Sequence, residues 1–580
     1  MTVKRFDPTA QQAAVIGHVG SAFVEACPGA GKTRVMVERA RRLLSSRTAT
    51  QGIAFLSFTN AAIDELASRL RREGIVSPTP FPHFLGTFDS FLWSFFVAPF
   101  GAPDCPLPPR LMPDMERIQI KPYDGARPLP LSCFDKVTGS IIVGSRDLGG
   151  FDPTQRSARA YETAAKQIRQ SLSEKGFLDY GDVRSIALAR IADSTTASRL
   201  AAALATRFSE VIVDEAQDCN PDDLNVIRWL RTSGIPTMVI CDPHQSIYGF
   251  RGGVTDHLFA FRDECSVSKH LPMSGNFRSN AAICNGIVAL RNKDHRDQRD
   301  EPLGLNKDDA TPVHILSYRG TLSSAVGEAF KKLLDDHGIE ASACPVLATT
   351  RDCGGNAIGQ PASNKSEHMS IRLASAVSEF HFAGEPSERI AAMEALHQII
   401  LKMEGRLDGT TYRKYLSEGR IKPDSWRPRV ISLMDALRYD ATTFATPDAW
   451  LERARTVLAE YATGGRSMGQ LLRSTTDLGN ALATPSTLEL AARTIHSVKG
   501  MEFPAVCVVL STAIAKGVID HLIDGGGSET AQENARKIYV AASRAERLLV
   551  FGVPHKQARR FGDHLISNGA QVVHGEMIAQ

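Results

Sequence analysis

Eight consecutive residues near the start of the chain have the spacing of a phosphate-binding loop. They run Ala26-Cys27-Pro28-Gly29-Ala30-Gly31-Lys32-Thr33, after an apolar run that predicts a strand and before a helical pattern. In that setting backbone N–H groups and a helix N-terminus cradle phosphates, Lys32 reaches the β and γ oxygens, and the Thr33 hydroxyl ligates Mg²⁺. Ala26 replaces the first glycine of the usual pattern, and a glycine-rich structural turn is the alternative interpretation.

Two adjacent acids, Asp214 and Glu215, follow a second apolar run, Val211–Val213. Beside bound phosphates, Asp214 would hold Mg²⁺ while Glu215 polarises the attacking water. The alternative is that both acids cap the next helix. Together with a lysine-bearing phosphate loop, the pair favours an NTPase.

Two further segments carry specific motifs, Asp214–Asp218 (DEAQD) and Gln245–Gly252 (QSIYGFRG). Others are the segment around Gln11 (DPTAQQAAV), Ser57–Asn60, Gly86–Phe88, Leu178–Tyr180, Asn276–Ser279, Thr494–Phe503 and Tyr539–Ala545. These motifs extend over nearly the whole chain, and they resemble those of the UvrD/Rep family of superfamily 1A helicases, in the family's order.

The resemblance implies a role for each residue of an ATP site. Glu215 would be the catalytic base, and Gln245 would sense the γ-phosphate and couple it to a DNA groove. Arg278 and Arg544 would act as arginine fingers, whose guanidinium groups neutralise charge on the transferring phosphoryl group. The alternative for either arginine is a surface ion pair.

The resemblance also implies contacts to the nucleoside. Gln11 would read the adenine, and Arg34 and Phe277 would sandwich it, with Phe277 keeping the stacking face of the family's tyrosine. Glu502 would contact the ribose or the nucleotide, or link ATP to DNA, and these alternatives stay open.

Four residues are candidates for binding nucleic acid, namely Phe58, Asn60, Phe250 and His496. Their motifs line the strand groove in the family, and base stacking suits a motor because every base has a π-face. Taken singly, such rings are more often core residues. Asp89 and Ala61 stand where the family often carries histidine and lysine, so phosphate contacts are expected to be fewer.

Short apolar runs alternate with helical patterns, which predicts parallel sheets covered on both faces. The clearest runs are Ile53–Thr59, Val211–Val213, Met238–Cys241, Pro345–Ala348 and Val506–Leu510. The predicted fold class is α/β, with two RecA-like P-loop domains that each carry a mostly helical insertion. The predicted boundaries are 1–96 with 206–281 for the first domain (1A), 97–205 for its insertion (1B), 282–355 with 489–580 for the second domain (2A), and 356–488 for its insertion (2B).

Two smaller predictions concern side-chain burial. The helix after the phosphate loop has an apolar face at Met36 and Ala40, so its arginines, Arg39 and Arg41 among them, are expected to face solvent. Trp426 and Trp450 lie in the second insertion without a motif and are expected to be core residues.

Composition excludes several classes of protein. A chain of 580 residues needs several domains, and a net charge of +3 requires any nucleic-acid site to be a local basic groove. We find no signal peptide and no apolar run long enough to span a membrane, and we therefore expect a cytoplasmic location. The ten cysteines show no C-x-x-C pair, which predicts free thiols and argues against an iron–sulfur cluster. No acidic cluster follows Arg544, so we expect no fused nuclease.

The residues and motifs leave three candidate functions. The first is an ATP-dependent translocase or helicase that moves 3′ to 5′ on single-stranded DNA, or on DNA with a 3′ single-stranded tail. The second is a DNA- or nucleotide-sensing ATPase subunit of a repair or anti-phage complex, resembling the helicase subunit of Gabija-type systems with an OLD-type nuclease partner. The third, an unrelated P-loop kinase or GTPase, is disfavoured by Gln11 and the two arginine motifs. Because the insertions are short, unaided duplex unwinding is left open.

The assignment of the catalytic base leads to a direct test. Glu215→Gln is expected to abolish DNA-stimulated ATP hydrolysis while leaving ATP binding intact, because the amide cannot accept a proton from water. Steady-state ATPase rates and nucleotide-binding titrations measure the two effects. Unchanged turnover would contradict the assignment.

Overall fold

The computed structural model describes sixteen stretches of the chain. They are residues 6–45, 51–77, 80–103, 105–123, 126–148, 151–247, 255–359, 368–382, 386–407, 410–419, 421–440, 442–463, 467–476, 478–482, 490–575 and 577–578. The strands within them are β1 Ala22–Ala26, β2 Gly52–Ser57, β3 Phe84–Thr87, β4 Arg110–Leu111, β5 Gln119–Ile120, β6 Leu129–Pro130, β7 Phe177–Leu178, β8 Phe208–Val213, β9 Thr237–Cys241, β10 His270–Met273, β11 Gly275–Asn276, β12 Glu301–Pro302, β13 Val313–Tyr318, β14 Pro345–Ala348, β15 Ala491–Thr494, β16 Phe503–Val509, β17 Ala545–Pro554 and β18 Val572–His574.

The helices lie within the same stretches of the chain. They are α1 Ala10–Gly17, α2 Lys32–Ser45, α3 Asn60–Arg72, α4 Phe88–Leu92, α5 Ala158–Glu174, α6 Tyr180–Ala192, α7 Ser194–Arg207, α8 Pro221–Thr232, α9 Thr255–Asp263, α10 Ala281–Ala289, α11 Ala325–Asp336, α12 Arg351–Ala357, α13 Met369–Phe382, α14 Pro386–Met403, α15 Tyr412–Glu418, α16 Pro423–Ala436, α17 Pro447–Val457, α18 Met468–Leu471, α19 Leu478–Leu482, α20 Thr512–Asp524, α21 Glu529–Ala542 and α22 His555–Ser567.

Two parallel six-stranded sheets confirm the predicted fold class. The first sheet has the strand order β10-β1-β9-β8-β2-β3, and the second has the order β15-β14-β16-β17-β13-β18. All neighbouring strands within each sheet are parallel. Every residue of β8 and β9 is buried, as expected for central strands with helices on both faces.

The chain divides into two compact units. The first comprises residues 1–96, 187–360 and 486–580 and contains both six-stranded sheets. The second comprises residues 97–186 and 361–485, which supply α13 to α19 and two short two-stranded sheets. The predicted domain boundaries stay a prediction.

The core of the second unit includes both tryptophans that the sequence assigned to it. Trp450 is fully buried and its indole N–H donates to the carbonyl oxygen of Leu437 at 2.6 Å. Trp426 is also buried and stacks on His397 with the ring centroids 4.3 Å apart. The prediction for Trp426 and Trp450 is therefore confirmed.

The prediction for Arg39 is wrong, whereas that for Arg41 is confirmed. Arg39 is only 2% exposed, and its guanidinium binds Glu210 with an Nη2–Oε1 distance of 2.5 Å. It also donates to the carbonyl oxygen of Val15 at 2.7 Å. Arg41 is exposed and pairs with Glu38 at 3.3 Å. Helical spacing places both arginines on the polar face of α2. Arg39 is nevertheless buried, because it pairs with the Glu210 carboxylate on β8.

Three findings bear on the composition-based expectations. All ten cysteines are free thiols. No helix in the described ranges is both long and apolar enough to cross a membrane. Among those same ranges, no group of three or more histidine, cysteine, aspartate or glutamate residues is arranged to hold a metal ion.

The buried Arg39–Glu210 pair leads to a stability prediction. Arg39→Met should destabilise the first unit by about 3–5 kcal/mol, because it leaves the Glu210 carboxylate buried without its cation. Arg41→Met is the matched control, since loss of an exposed ion pair costs at most about 1 kcal/mol. Calorimetric unfolding of the two variants compares them. Equal shifts in the unfolding midpoint would contradict the prediction.

Candidate nucleotide site

The phosphate loop joins β1 to α2 in the first sheet. Gly29 and Gly31 have φ angles of 70° and 78°, in the left-handed region that residues with a side chain rarely adopt. The Cys27 N–H donates to the carbonyl oxygen of Met273 at 2.9 Å, and the Gln12 side-chain amide donates to that of Ala30 at 3.0 Å. Hydrogen bonds to β10 and from α1 therefore fix the conformation of the phosphate loop.

Gly29 is also the point where another segment meets the loop. The Phe277 N–H donates to the Gly29 carbonyl oxygen at 2.9 Å. A Cβ atom placed on Gly29 would lie 2.6 Å from Asn276 Oδ1 and 2.8 Å from Arg278 Cβ. Only glycine at this position lets Phe277 and Arg278 approach the loop so closely.

The predicted acid pair lies immediately after β8. The Asp214 N–H donates to the Leu56 carbonyl oxygen at 2.8 Å, which continues the pairing with β2. Glu215 follows with φ 56° and is the one non-glycine residue with left-handed backbone in the described ranges. Such strain persists only where the surrounding structure enforces it, and it clusters at functional sites.

One oxygen of Asp214 fits a metal ion. Its Oδ1 atom is buried and has no hydrogen-bond partner within the described residues. Buried polar atoms of this kind usually have a partner, so an unpaired carboxylate oxygen near the phosphate loop suits a cation. Mg²⁺ needs only one or two protein ligands besides water and phosphate, which matches the small set of Asp214 and Thr33.

Two lysines flank Glu215, one at the start of α2 and one between β15 and β16. Lys32 Nζ lies 3.1 Å from Glu215 Oε1, and Lys499 Nζ lies 3.7 Å from Oε2. Burial favours a raised pKa for Glu215, but Lys32 and Lys499 outweigh burial and lower that pKa to about 2. Burial and the Glu215 charge raise the pKa of Asp214 to about 7. The pKa values of the two neighbouring acids are therefore shifted in opposite directions.

Gln245 and Arg544 meet in a hydrogen-bond chain that joins the two sheets. Arg544 Nη2 donates to Gln245 Oε1 at 2.7 Å, and Gln245 Nε2 donates to Asp242 Oδ2 at 2.8 Å. The hydroxyl of Tyr539 donates to the same carboxylate oxygen at 3.2 Å. Burial and the neighbouring Arg278 lower the pKa of Arg544 to about 10, so the guanidinium is protonated at neutral pH.

The second predicted finger, Arg278, lies beside the first. Arg278 Nη1 donates to the Ser543 carbonyl oxygen at 2.5 Å, and Arg544 Nη2 donates to the Ser543 hydroxyl at 3.0 Å. The other end of the Arg278 guanidinium forms an ion pair with Glu502, whose side chain is half exposed. Of the predicted catalytic residues, the structure thus brings together Glu215, Gln245, Arg278 and Arg544.

The predicted nucleoside contacts are more dispersed. The Ser274 N–H donates to Gln11 Oε1 at 2.8 Å. The guanidinium of Arg34 pairs with Glu38 and Glu73, each at 2.7 Å, and also lies over the Phe6 ring.

The Phe277 ring is 38% exposed. The adenine-reading role of Gln11 and the stacking roles of Arg34 and Phe277 stay predictions.

The predicted nucleic-acid contacts also stay predictions. Phe58 is half-buried and stacks on Phe88 with the ring centroids 5.6 Å apart, and Asn60 is the exposed first residue of α3. His496 is half-buried, and its ring bonds to the backbone of Ile247. Burial lowers the pKa of His496, so its ring is neutral at neutral pH. Phe250 lies outside the described residues.

Sequence reasoning missed three residues of the site. Asp242, Tyr539 and Lys499 each contact a predicted catalytic residue or its partner. Asp242 was detectable, because it ends the apolar run of β9 just as Asp214 ends that of β8. Tyr539 and Lys499 lie inside recognised motifs, but nothing local in the sequence points to their partners.

A phosphate loop and an acid pair on one parallel sheet, with Arg278 after β11 and Arg544 before β17 of the second sheet, define a P-loop NTPase. Residues 8–99 and 144–266 match the family model described as UvrD/REP helicase N-terminal domain. Over these residues the chain is similar to a UvrD/REP helicase N-terminal domain.

Individual relatives agree with this family. The chain is 26% identical over 315 residues to ATP-dependent DNA helicase UvrD1 of Mycobacterium tuberculosis, covering 50% of this chain and 40% of that protein. It is 22% identical over 347 residues to DNA helicase II of Escherichia coli, covering 58% and 47%. It is 31% identical over 139 residues to RecBCD enzyme subunit RecB of Escherichia coli, covering 24% and 11%. The matched regions thus span less than half the length of each relative.

The crowding at Gly29 can be tested against a second glycine at the other end of β1. Gly29→Ala should displace Asn276 and Arg278 and weaken ATP-analogue binding. Gly20 is the control because it is also left-handed, with φ 88°, but has open space around it. Gly20→Ala should add only backbone strain of about 1–2 kcal/mol. Fluorescence titration with a labelled ATP analogue compares the variants, and equal affinities would contradict the prediction.

Proposed function

We propose that this protein is an ATP-dependent DNA translocase that moves 3′ to 5′ on single-stranded DNA, with helicase activity on suitably tailed duplexes. The observation that carries the proposal is the contact between residues of the two sheets at one site. Lys499 Nζ lies 3.7 Å from Glu215 Oε2, and Arg544 Nη2 donates to Gln245 Oε1 at 2.7 Å. A site completed by two sheets makes hydrolysis depend on their approach. That dependence is what a motor requires.

The chain's own residues account for the hydrolysis step. Lys32 is paired with Glu215, and we expect the phosphates of ATP to draw Lys32 away. Glu215 then accepts a proton from the attacking water. Arg544 and Arg278 supply guanidinium donors to the charge on the transferring phosphoryl group. Thr33 and Asp214 would hold Mg²⁺, which neutralises phosphate charge when bound.

In this proposal Gln245 couples ATP hydrolysis to movement of the two sheets. It bonds both to Arg544 and to Asp242 at the end of β9, so a movement of either sheet changes its partners. Approach of the sheets on ATP binding and their release after hydrolysis would advance one strand past Phe58, Asn60, Phe250 and His496. The 3′-to-5′ direction is carried over from the UvrD/Rep resemblance.

A second candidate function is an ATPase subunit that senses DNA or nucleotides inside a larger complex. One matched relative, RecB, is named as a subunit of the RecBCD enzyme, and this observation favours the candidate. The nuclease partner and the anti-phage role expected from the sequence stay predictions. We place either function in the cytoplasm.

The proposal predicts ATP hydrolysis that single-stranded DNA stimulates more than RNA does. Arg544→Ala should lower kcat on the order of 10³-fold, because the buried finger donor is lost. Arg547→Ala is the control, since Arg547 lies three residues along β17 and makes only a partly exposed ion pair with Asp309 at 3.4 Å. Hydrolysis that DNA does not stimulate, or equal effects of the two variants, would contradict the proposal.

Strand displacement separates the two candidate functions. The isolated chain is incubated with ATP, excess single-stranded trap, and duplexes carrying either a 3′ or a 5′ tail. Unwinding of only the 3′-tailed duplex supports the helicase, whereas DNA-stimulated hydrolysis without displacement or movement supports the sensing subunit.

A further inference from the structure

Lys499 brings a positive charge from the second sheet into the acidic group of the first. It lies between β15 and β16, and its side chain is only 8% exposed. Its ammonium group forms an ion pair with Asp218, whose side chain is fully buried, and lies 3.7 Å from Glu215 Oε2. Both acids belong to the segment that follows β8.

Lys499 and Lys32 contact different oxygens of the Glu215 carboxylate. Lys32 pairs with Glu215 Oε1, whereas Lys499 faces Oε2, which also accepts a hydrogen bond from Gln217 Nε2 at 2.5 Å. If Lys32 moves to the phosphates of ATP, Oε1 loses its cation. Lys499 and Gln217 then remain to hold the carboxylate through Oε2.

We propose that Lys499 is a positioning residue that orients the Glu215 carboxylate for water activation and makes this orientation depend on contact between the two sheets. The inference rests on the proposed ATP hydrolysis. Asp218 is the anchor, because its direct ion pair holds the Lys499 ammonium in place beside Glu215.

The dependence on sheet contact follows from burial. A buried ammonium and a buried carboxylate stabilise each other only while paired, and separating them leaves uncompensated charge on both sides. When the second sheet withdraws, Glu215 loses the partner of Oε2. The same short segment also carries His496, whose ring bonds to the backbone of Ile247, so the strand-binding candidate and the positioning lysine move together.

The test compares three lysine variants of the full chain. Lys499→Met removes the charge while keeping most of the side-chain length, and Lys499→Arg keeps the charge. Lys516→Met is the matched control, since Lys516 pairs with Asp520 at 2.5 Å on the surface of α20. The readouts are kcat and KM for ATP with saturating single-stranded DNA, the affinity for an ATP analogue, and the thermal unfolding midpoint.

Lys499→Met is expected to lower kcat roughly 10- to 100-fold, by analogy with the range found when the partners that orient metal ligands are removed. The affinity for the ATP analogue should stay close to that of the wild type, because Lys499 is not expected to contact the nucleotide. The unfolding midpoint should fall, because Asp218 is left buried without its cation. Lys499→Arg should recover most of the lost turnover, and Lys516→Met should leave it unchanged. Asp218→Asn should reproduce the fall in kcat, and its effect should not add to that of Lys499→Met.

Three results would overturn the inference. The first is a kcat for Lys499→Met within about twofold of the wild type. The second is an equal loss of analogue affinity, which would mark Lys499 as purely structural. The third is an arginine variant no better than the methionine variant. A wild-type chain without ATP hydrolysis would defeat the proposed function itself, and the wild-type measurement alone distinguishes that failure.

Discussion

At the carboxyl end of β8, three acids of one short segment lie in or near the protein interior, and their negative charge requires cations. Lys32 supplies one from the phosphate loop of the same sheet, and Lys499 supplies another from the second sheet. A buried carboxylate is stable only when it is paired with a cation. The ion pair with Lys499 therefore joins the two sheets, in addition to the role proposed for these acids in ATP hydrolysis. The left-handed backbone of Glu215 lies at the centre of this arrangement.

Close approach of backbone to backbone is the second condition that the site depends on. Gly29 accepts the N–H of Phe277, and there is no room for a side chain between them. This contact places Arg278 beside the loop, and Ser543 then lies between Arg278 and Arg544. Gly29, in the loop after β1, thus allows Arg278 to lie close to the phosphate loop.

Much of the fold and part of the site could be predicted because their determinants are neighbours in the chain. Alternating apolar runs and helical patterns are local, so they predicted parallel sheets. The phosphate loop and the pair of Asp214 and Glu215 are contiguous and keep the same chemistry wherever they fold. Arg39 shows the limit of this reasoning. Helical spacing identifies the polar face of α2, but it does not reveal that Glu210 lies on a buried strand within reach of Arg39.

The sequence by itself therefore determined the class of fold, the phosphate loop and the acidic strand end. Only the tertiary structure decided which distant groups complete them. Arg544 and Gln245 are separated by 299 positions, and Lys499 and Asp218 by 281. Electrostatic partners are chosen by distance in space and by shielding from water, and neither quantity can be read along the chain. For the same reason, the positive charge beside Glu215 Oε2 comes from a residue of the other sheet that the local sequence does not reveal.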